Sequence, residues 1–207
     1  MDQLPLALAW FAYAALHSLL ASLAVKAAVT RRWPGFAPWY RLSYNVFAGV
    51  AALPLAWLLY TVPGDSLWAW RGAWAWLANG LAAAAVACLF IASRGYDMDE
   101  FLGLRQLRGG AGEPVDHGSF RISLFHRFVR HPWYSFSLVI VWTRDMNEAM
   151  LVSAIAITAY FVIGSRYEER KLIALYGETY RRYRQRVPAL VPLPWKYLGG
   201  DETDGFR

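Results

Sequence analysis

A single cysteine, Cys88, stands among 207 residues, and only 17% of the chain is charged. One thiol excludes an intrachain disulfide and any zinc cluster built on cysteines. In the middle of an apolar run its expected role is packing. So little charge, against 57% hydrophobic residues and 11 tryptophans, excludes an ordinary soluble domain of this length. The start, Met1-Asp2-Gln3, lacks the basic stretch of a secretory signal, so no cleavage is expected. Internal repeats and low-complexity tracts are also missing. Residues 1–198 therefore read as one domain, followed by a flexible tail at 199–207.

What the chain does have is long apolar blocks. Leu4 to Val25 holds no formally charged side chain apart from a possible His17. At about 1.5 Å per residue it covers roughly 30 Å of hydrocarbon. Leu42 to Val62 is a second block, and Leu67 to Ser93 a third with Arg71 near its start. Leu151 to Ser165, lengthened by Asn147 to Met150, is a fourth. Trp133 to Thr143 is too short to span alone. Pro132 before it makes a continuous helix costly by about 3 kcal/mol, or kinks it. The expectation is a kinked, partly re-entrant fifth element paired with Asn147–Ser165. The fold class is thus an all-α polytopic membrane bundle of about five helices, with a cytoplasmic C-terminal helix.

Charge sets the expected topology. Of the 21 Lys and Arg residues, four lie between Lys26 and Arg41, six between Arg94 and Arg130, and nine from Arg166 onward. Only Arg71 and Arg144 fall in the other two connections. That alternation predicts an outside N-terminus and a cytoplasmic C-terminus, in a bacterial inner membrane. The net charge of +6 then reflects topology and attraction to anionic lipid, and calls for no nucleic acid. Trp33, Trp39, Tyr40, Trp57, Tyr60, Trp68 and Trp70 lie where aromatic belts belong. Tyr96 to Leu107 has the spacing of an interfacial helix, with a flexible turn at Gly109–Gly112. Glu168 to Arg186 reads as a cytoplasmic helix interrupted near Gly177, its arginines facing headgroups.

Ionisable groups of both signs gather where the chain leaves the bilayer: Arg130-His131-Pro132-Trp133-Tyr134 before one apolar element, and Glu168-Glu169 after the next. Lipid does not tolerate such a cluster without a partner, and a small zwitterion or cation suits it. Adjacent residues on a helix diverge by about 100°, so the two glutamates are not expected to face one site. One is expected to meet a ligand and the other to pair with Arg166, Arg170 or Lys171. Because Pro132 has no N–H, the carbonyl one turn earlier is expected to be open to a ligand. No metal is called for. His17 and Asn45 either line an acceptor path or bond across helices.

Arg-His-Pro-x-Tyr with a later Glu-Glu resembles the signature of the integral-membrane methyltransferase superfamily that includes isoprenylcysteine carboxyl methyltransferase and phospholipid methyltransferases. Gly177-Glu178-x-Tyr180-x-x-Tyr183 and Val187-Pro188 to Val191-Pro192 are similar to its C-terminal pattern. His17–Ser22, Val25-Lys26, Arg41–Asn45 and Phe101–Gln106 resemble the NnrU-like and methanethiol S-methyltransferase branch. The resemblance implies S-adenosylmethionine held by His131, Pro132, Tyr134 and Glu168 or Glu169, with Tyr180 of the C-terminal pattern beside them. Arg130, His126 and Arg121 are then candidates to stabilise an acceptor anion during catalysis. The implied acceptor is a small or lipophilic molecule, foremost a thiol. The alternative is an NnrU-like, non-catalytic accessory protein of respiratory metabolism. A transporter fits less well, because the ionisable groups gather at one face. One position departs from the family: Phe136 stands where members carry Gly, and it is expected either to narrow the cofactor site or to face lipid.

Overall fold

The computed structural model describes residues 2–94, 97–109, 122–200 and 202. Its elements are α1 (Leu4–Ala21), α2 (Leu23–Arg32), a 3-10 segment (Pro34–Trp39), α3 (Tyr40–Thr61), β1 (Ser66–Trp68), α4 (Ala73–Ser93), α5 (Met98–Leu102) and α6 (Leu104–Leu107). A second 3-10 segment (Phe125–Arg127), α7 (Pro132–Trp142), β2 (Met146–Asn147) and α8 (Glu148–Arg186) complete it. Among the described residues, four segments are long and apolar enough to cross a membrane: Leu4–Ala21, Pro34–Thr61, Ala73–Ser93 and Glu148–Arg186. The burial pattern agrees. Phe11 is 74% exposed and Trp76 82%, while the interior of α4 is Ala78, Ala82 and Ala85. Large apolar side chains facing out around small buried ones is the arrangement lipid favours. The protein is a multi-pass, all-α membrane bundle.

The chain forms two compact units. The first comprises Met1–Ala69, Tyr96–Glu113 and Met146–Ala156. Here the first apolar block does not run on to Val25. Ser22 adopts an extended conformation and its Oγ accepts from Val25 N at 3.3 Å, so a cap ends α1 and starts α2. α1 packs on α3, with Leu6, Leu55 and Ala149 at the centre. Tyr44 Oη lies 2.7 Å from His17 Nε2, and Asn45 Nδ2 donates to Phe101 O at 3.0 Å. β1 and β2 form a short antiparallel ribbon. Beside it the carbonyls of Asp65 and Pro63 accept from the first N–H groups of α8, at 3.1 Å each. The expected interfacial helix is split at Gly103, whose φ of +89° and close approach to Leu42 N leave no room for a Cβ.

The second unit comprises Trp70–Gly95, Pro114–Asp145 and Ile157–Arg207. Residues 67–72 of the third apolar block are not helical; α4 starts at Ala73 after Gly72. The small face of α4 receives α7. The expected pairing of α7 with the last span is made through side chains: Trp142 Nε1 donates to Thr158 Oγ1 at 3.0 Å. Pro132 does not kink a helix. It occupies the first turn of α7, where its missing N–H would have no partner anyway. α8 breaks at Gly177 (φ 56°, ψ −126°), a conformation reserved for glycine. Beyond it Tyr180, Tyr183, Val187 and Leu198 form a buried cluster with Leu172, Ile173 and Tyr176 from before the break. Of the expected flexible tail, Glu202 accepts from Gly199 N at 2.7 Å and from Arg186 Nη2 at 2.5 Å. Residues 201 and 203–207 lie outside the described residues, as do Gly110–Gly112 of the expected loop turn and Arg121.

Candidate functional site

His131 caps α7 and is 6% exposed. Its position is set by backbone. Arg130 N donates to Pro188 O at 2.9 Å and His131 N to Ala189 O at 3.1 Å. The His131 carbonyl accepts from Ser135 N at 3.0 Å, and the Ser135 hydroxyl is shared between that carbonyl (3.0 Å) and Leu190 O (2.6 Å). The strand of chain after the tail half of α8 thus fixes the residue that begins α7.

The imidazole lies between both glutamates. Nδ1 is 3.3 Å from Glu168 Oε2 and Nε2 is 3.2 Å from Glu169 Oε1. Only the doubly protonated ring can donate to a carboxylate on each side. Burial lowers the His131 pKa, but the hydrogen bonds and charges of Glu168 and Glu169 outweigh it, and the net shift is upward from 6.5.

The two carboxylates live differently. Glu169 is buried. Its Oε1 accepts from Arg130 Nε at 2.8 Å and Nη2 at 2.6 Å, and its Oε2 lies 3.1 Å from Arg184 Nε. Arg130 Nη1 donates to the carbonyls of Arg184, at 3.0 Å, and Val187. Glu168 has a side chain 49% exposed, and beyond His131 it accepts from Tyr134 Oη at 3.4 Å. Tyr134 is the middle ring of a stack: 5.4 Å and 10° from His131, 4.5 Å and 7° from Phe161. His126 stands nearby, with Nδ1 2.6 Å from Ser123 Oγ and its carbonyl accepting from Tyr183 Oη at 2.6 Å. Burial, then the charge of His131, lowers its pKa against the opposing pull of Glu168, so the ring is neutral near pH 7.

Proteins of known activity share this chain's sequence over most of its length. Methanethiol S-methyltransferase 2 of Bradyrhizobium diazoefficiens is 35% identical over 184 residues, which is 87% of this chain and 69% of the relative. Methanethiol S-methyltransferase of Mycobacterium tuberculosis is 32% identical over 195 residues, 89% of this chain and 76% of its own. That of Crocosphaera subtropica is 29% identical over 191 residues, 87% and 71%. The chain belongs to the methanethiol S-methyltransferase family. No family profile matches it, and no solved structure does. Membership makes the protein a methyltransferase, and nothing among these relatives favours the non-catalytic alternative.

Against this family background the expected residues are found as follows. His131, Tyr134, Glu168 and Glu169 come together, and Pro132 starts the helix that carries two of them. The glutamates do not diverge from one site, as helical spacing suggested. A ring inserted between them meets one with each nitrogen, so 100° of separation is accommodated. Among the described residues neither pairs with Arg166, Arg170 or Lys171; Glu169 takes Arg130 and Arg184 instead. Because Pro132 begins α7 rather than interrupting it, no helical carbonyl is freed by it. Tyr180 is 1% exposed and packs edge-on to Tyr183 in the core of the unit. The Phe136 ring packs edge-on against Phe125, 5.0 Å away. Two contributors escaped the sequence reading. Phe161 lies seven residues before Glu168, two turns along one helix face, a spacing that could have revealed it. Arg184 left no local signal, because Gly177 folds it back to Glu169.

Proposed function

We propose that this family member transfers a methyl group from S-adenosylmethionine to a small thiol, with methanethiol the leading acceptor by analogy with its relatives. The observation carrying this reading is the unequal pair of glutamates around His131. Glu169 is saturated by Arg130, Arg184 and His131, whereas Glu168 is half-exposed and backed by an aromatic stack. A cofactor with an ammonium, a ribose diol and a sulfonium fits that donor set. Glu168 would hold an amino or hydroxyl group, and Tyr134 with Phe161 offers a π face to cationic or planar parts. When bound, S-adenosylmethionine supplies an electrophilic methyl group.

The chain's own residues do the rest. Arg130 holds Glu169, and Glu169 with Glu168 holds His131, so the carboxylate that meets the cofactor keeps a fixed position. Arg130, expected to stabilise an acceptor anion, is assigned this positioning role because its donors are already committed. A neutral thiol must lose its proton to become a good nucleophile. His126, uncharged and tied at Nδ1 to Ser123, can receive that proton at Nε2. Tyr180 supports the site from the core. We place the N-terminus outside and the site at the cytoplasmic leaflet of an inner membrane, on the strength of the charge distribution.

Calorimetric titration of detergent-purified protein with S-adenosylmethionine tests the cofactor assignment, with Glu168→Gln expected to weaken binding at least about tenfold, the loss of one charge-assisted hydrogen bond. Wild-type protein that binds none at millimolar cofactor overturns it. Methyl-labelled cofactor offered with methanethiol, isoprenylated cysteine and phosphatidylethanolamine tests the acceptor, with label expected on the thiol alone.

A further inference from the structure

The opposite end of α7 holds a second charged position that methyl transfer does not use. Arg144 follows the cap of α7, about 20 Å along the helix axis from His131. Its Nη1 donates to Asn79 Oδ1 of α4 at 3.0 Å, and its Nη2 lies 3.5 Å from Thr143 Oγ1. Its Nε–H is buried and meets no acceptor among the described residues. No carboxylate pairs with the guanidinium among the described residues. The adjacent Asp145 is engaged elsewhere, its Oδ1 accepting from Trp70 N at 2.9 Å. That bond also brings the neighbouring cation, Arg71, to the same end of the unit.

The surroundings give the chemistry of a partner. Trp70, Trp74 and Trp142 are all partly exposed here, at 36%, 65% and 37%. Indoles of this kind collect at the level of lipid headgroups. A guanidinium at that depth, fixed by two neutral side chains and lacking a counter-ion, matches an oxygen pair on a phosphate. We propose that Arg144, held by Asn79 and Thr143 and with Arg71 next to the Trp70 that Asp145 binds, forms a binding site for a phosphate group carried by a membrane lipid.

Native mass spectrometry of the full chain in detergent tests this, using phosphatidylglycerol, diacylglycerol and inorganic phosphate as probes. Wild type should retain phosphatidylglycerol at least about tenfold better than Arg144→Gln, the loss of a charge-assisted contact. Diacylglycerol, with the same chains and no phosphate, should not distinguish the two. Arg144→Lys, which keeps the charge but not the fork, should fall between them, and it carries the test if the glutamine variant does not fold. Cofactor binding should be unchanged in either variant. Equal retention of phosphatidylglycerol by wild type and both variants overturns the site. Binding of inorganic phosphate without phosphatidylglycerol overturns the lipid as its source.

Discussion

The two ends of α7 carry charge under opposite regimes. At its start, His131, Arg130, Arg184, Glu168 and Glu169 satisfy one another, with every cation facing a carboxylate within 3.3 Å. At its end, Arg144 leans on an amide and a hydroxyl. The first arrangement is closed and stiff around a single half-exposed carboxylate, which suits the positioning of a reacting cofactor. The second is open. Burial in lipid penalises an isolated charge, so the contrast separates a site built by the protein alone from one that the membrane completes.

The sharpest way to break the contrast is to remove the keystone of the closed end. Arg130→Ala leaves the buried Glu169 with weaker compensation and should destabilise the fold by about 3–5 kcal/mol, read as a drop in detergent unfolding temperature. Arg130→Lys should recover only part, since one ammonium cannot reproduce the Nε–Nη2 pairing and the two carbonyl contacts. Gly177→Ala comes next. It puts a Cβ on a backbone conformation that side chains avoid, at a cost of about 1–3 kcal/mol. It should also loosen Arg184 from Glu169, so cofactor affinity should fall with stability.

A pH titration sharpens the same comparison more gently. The His131 pKa is raised in the folded protein, so protonated His131 contributes its full stabilisation below about 6.5, the unfolded value. That contribution is lost as pH rises through the raised value. Unfolding temperature should therefore decline as pH rises above about 6.5 and through that raised value. Glu168→Gln removes one of the two acceptors and should move the decline to lower pH; an unmoved decline would mean another group is responsible.

Much of this was legible in sequence because bilayer length and charge alternation are strong constraints. The four spans, the half-length element after Pro132 and the break near Gly177 all followed from apolar run length and helix breakers. The gathering of His131 and Tyr134 with one of the two glutamates was expected too, from a motif; that both meet the imidazole was not. What failed were inferences of local geometry. Spacing on one helix says where Glu168 and Glu169 point, but not that an imidazole between them uses both nitrogens. A proline reads as a kink until the structure shows its helix begins there. Arg184 looked like one headgroup-facing arginine among four, because a contact fifteen residues away along α8 exists only through the turn at Gly177.

The smallest effect expected is at the open end, and it is the one that separates the two regimes most cleanly. Removing Arg130 strips a buried carboxylate of its partner, whereas Arg144→Gln removes a charge that no carboxylate depends on. Asn79 and Thr143 lose one neighbour each, and a glutamine amide can still reach one of them. In lipid-free detergent the change in stability should stay within about 0.5 kcal/mol. Adding an anionic lipid should then raise the unfolding temperature of wild type more than that of the variant, since a ligand stabilises only the form that binds it. A large loss without lipid would instead make Arg144 an internal strut, and the two ends of α7 would no longer differ in kind.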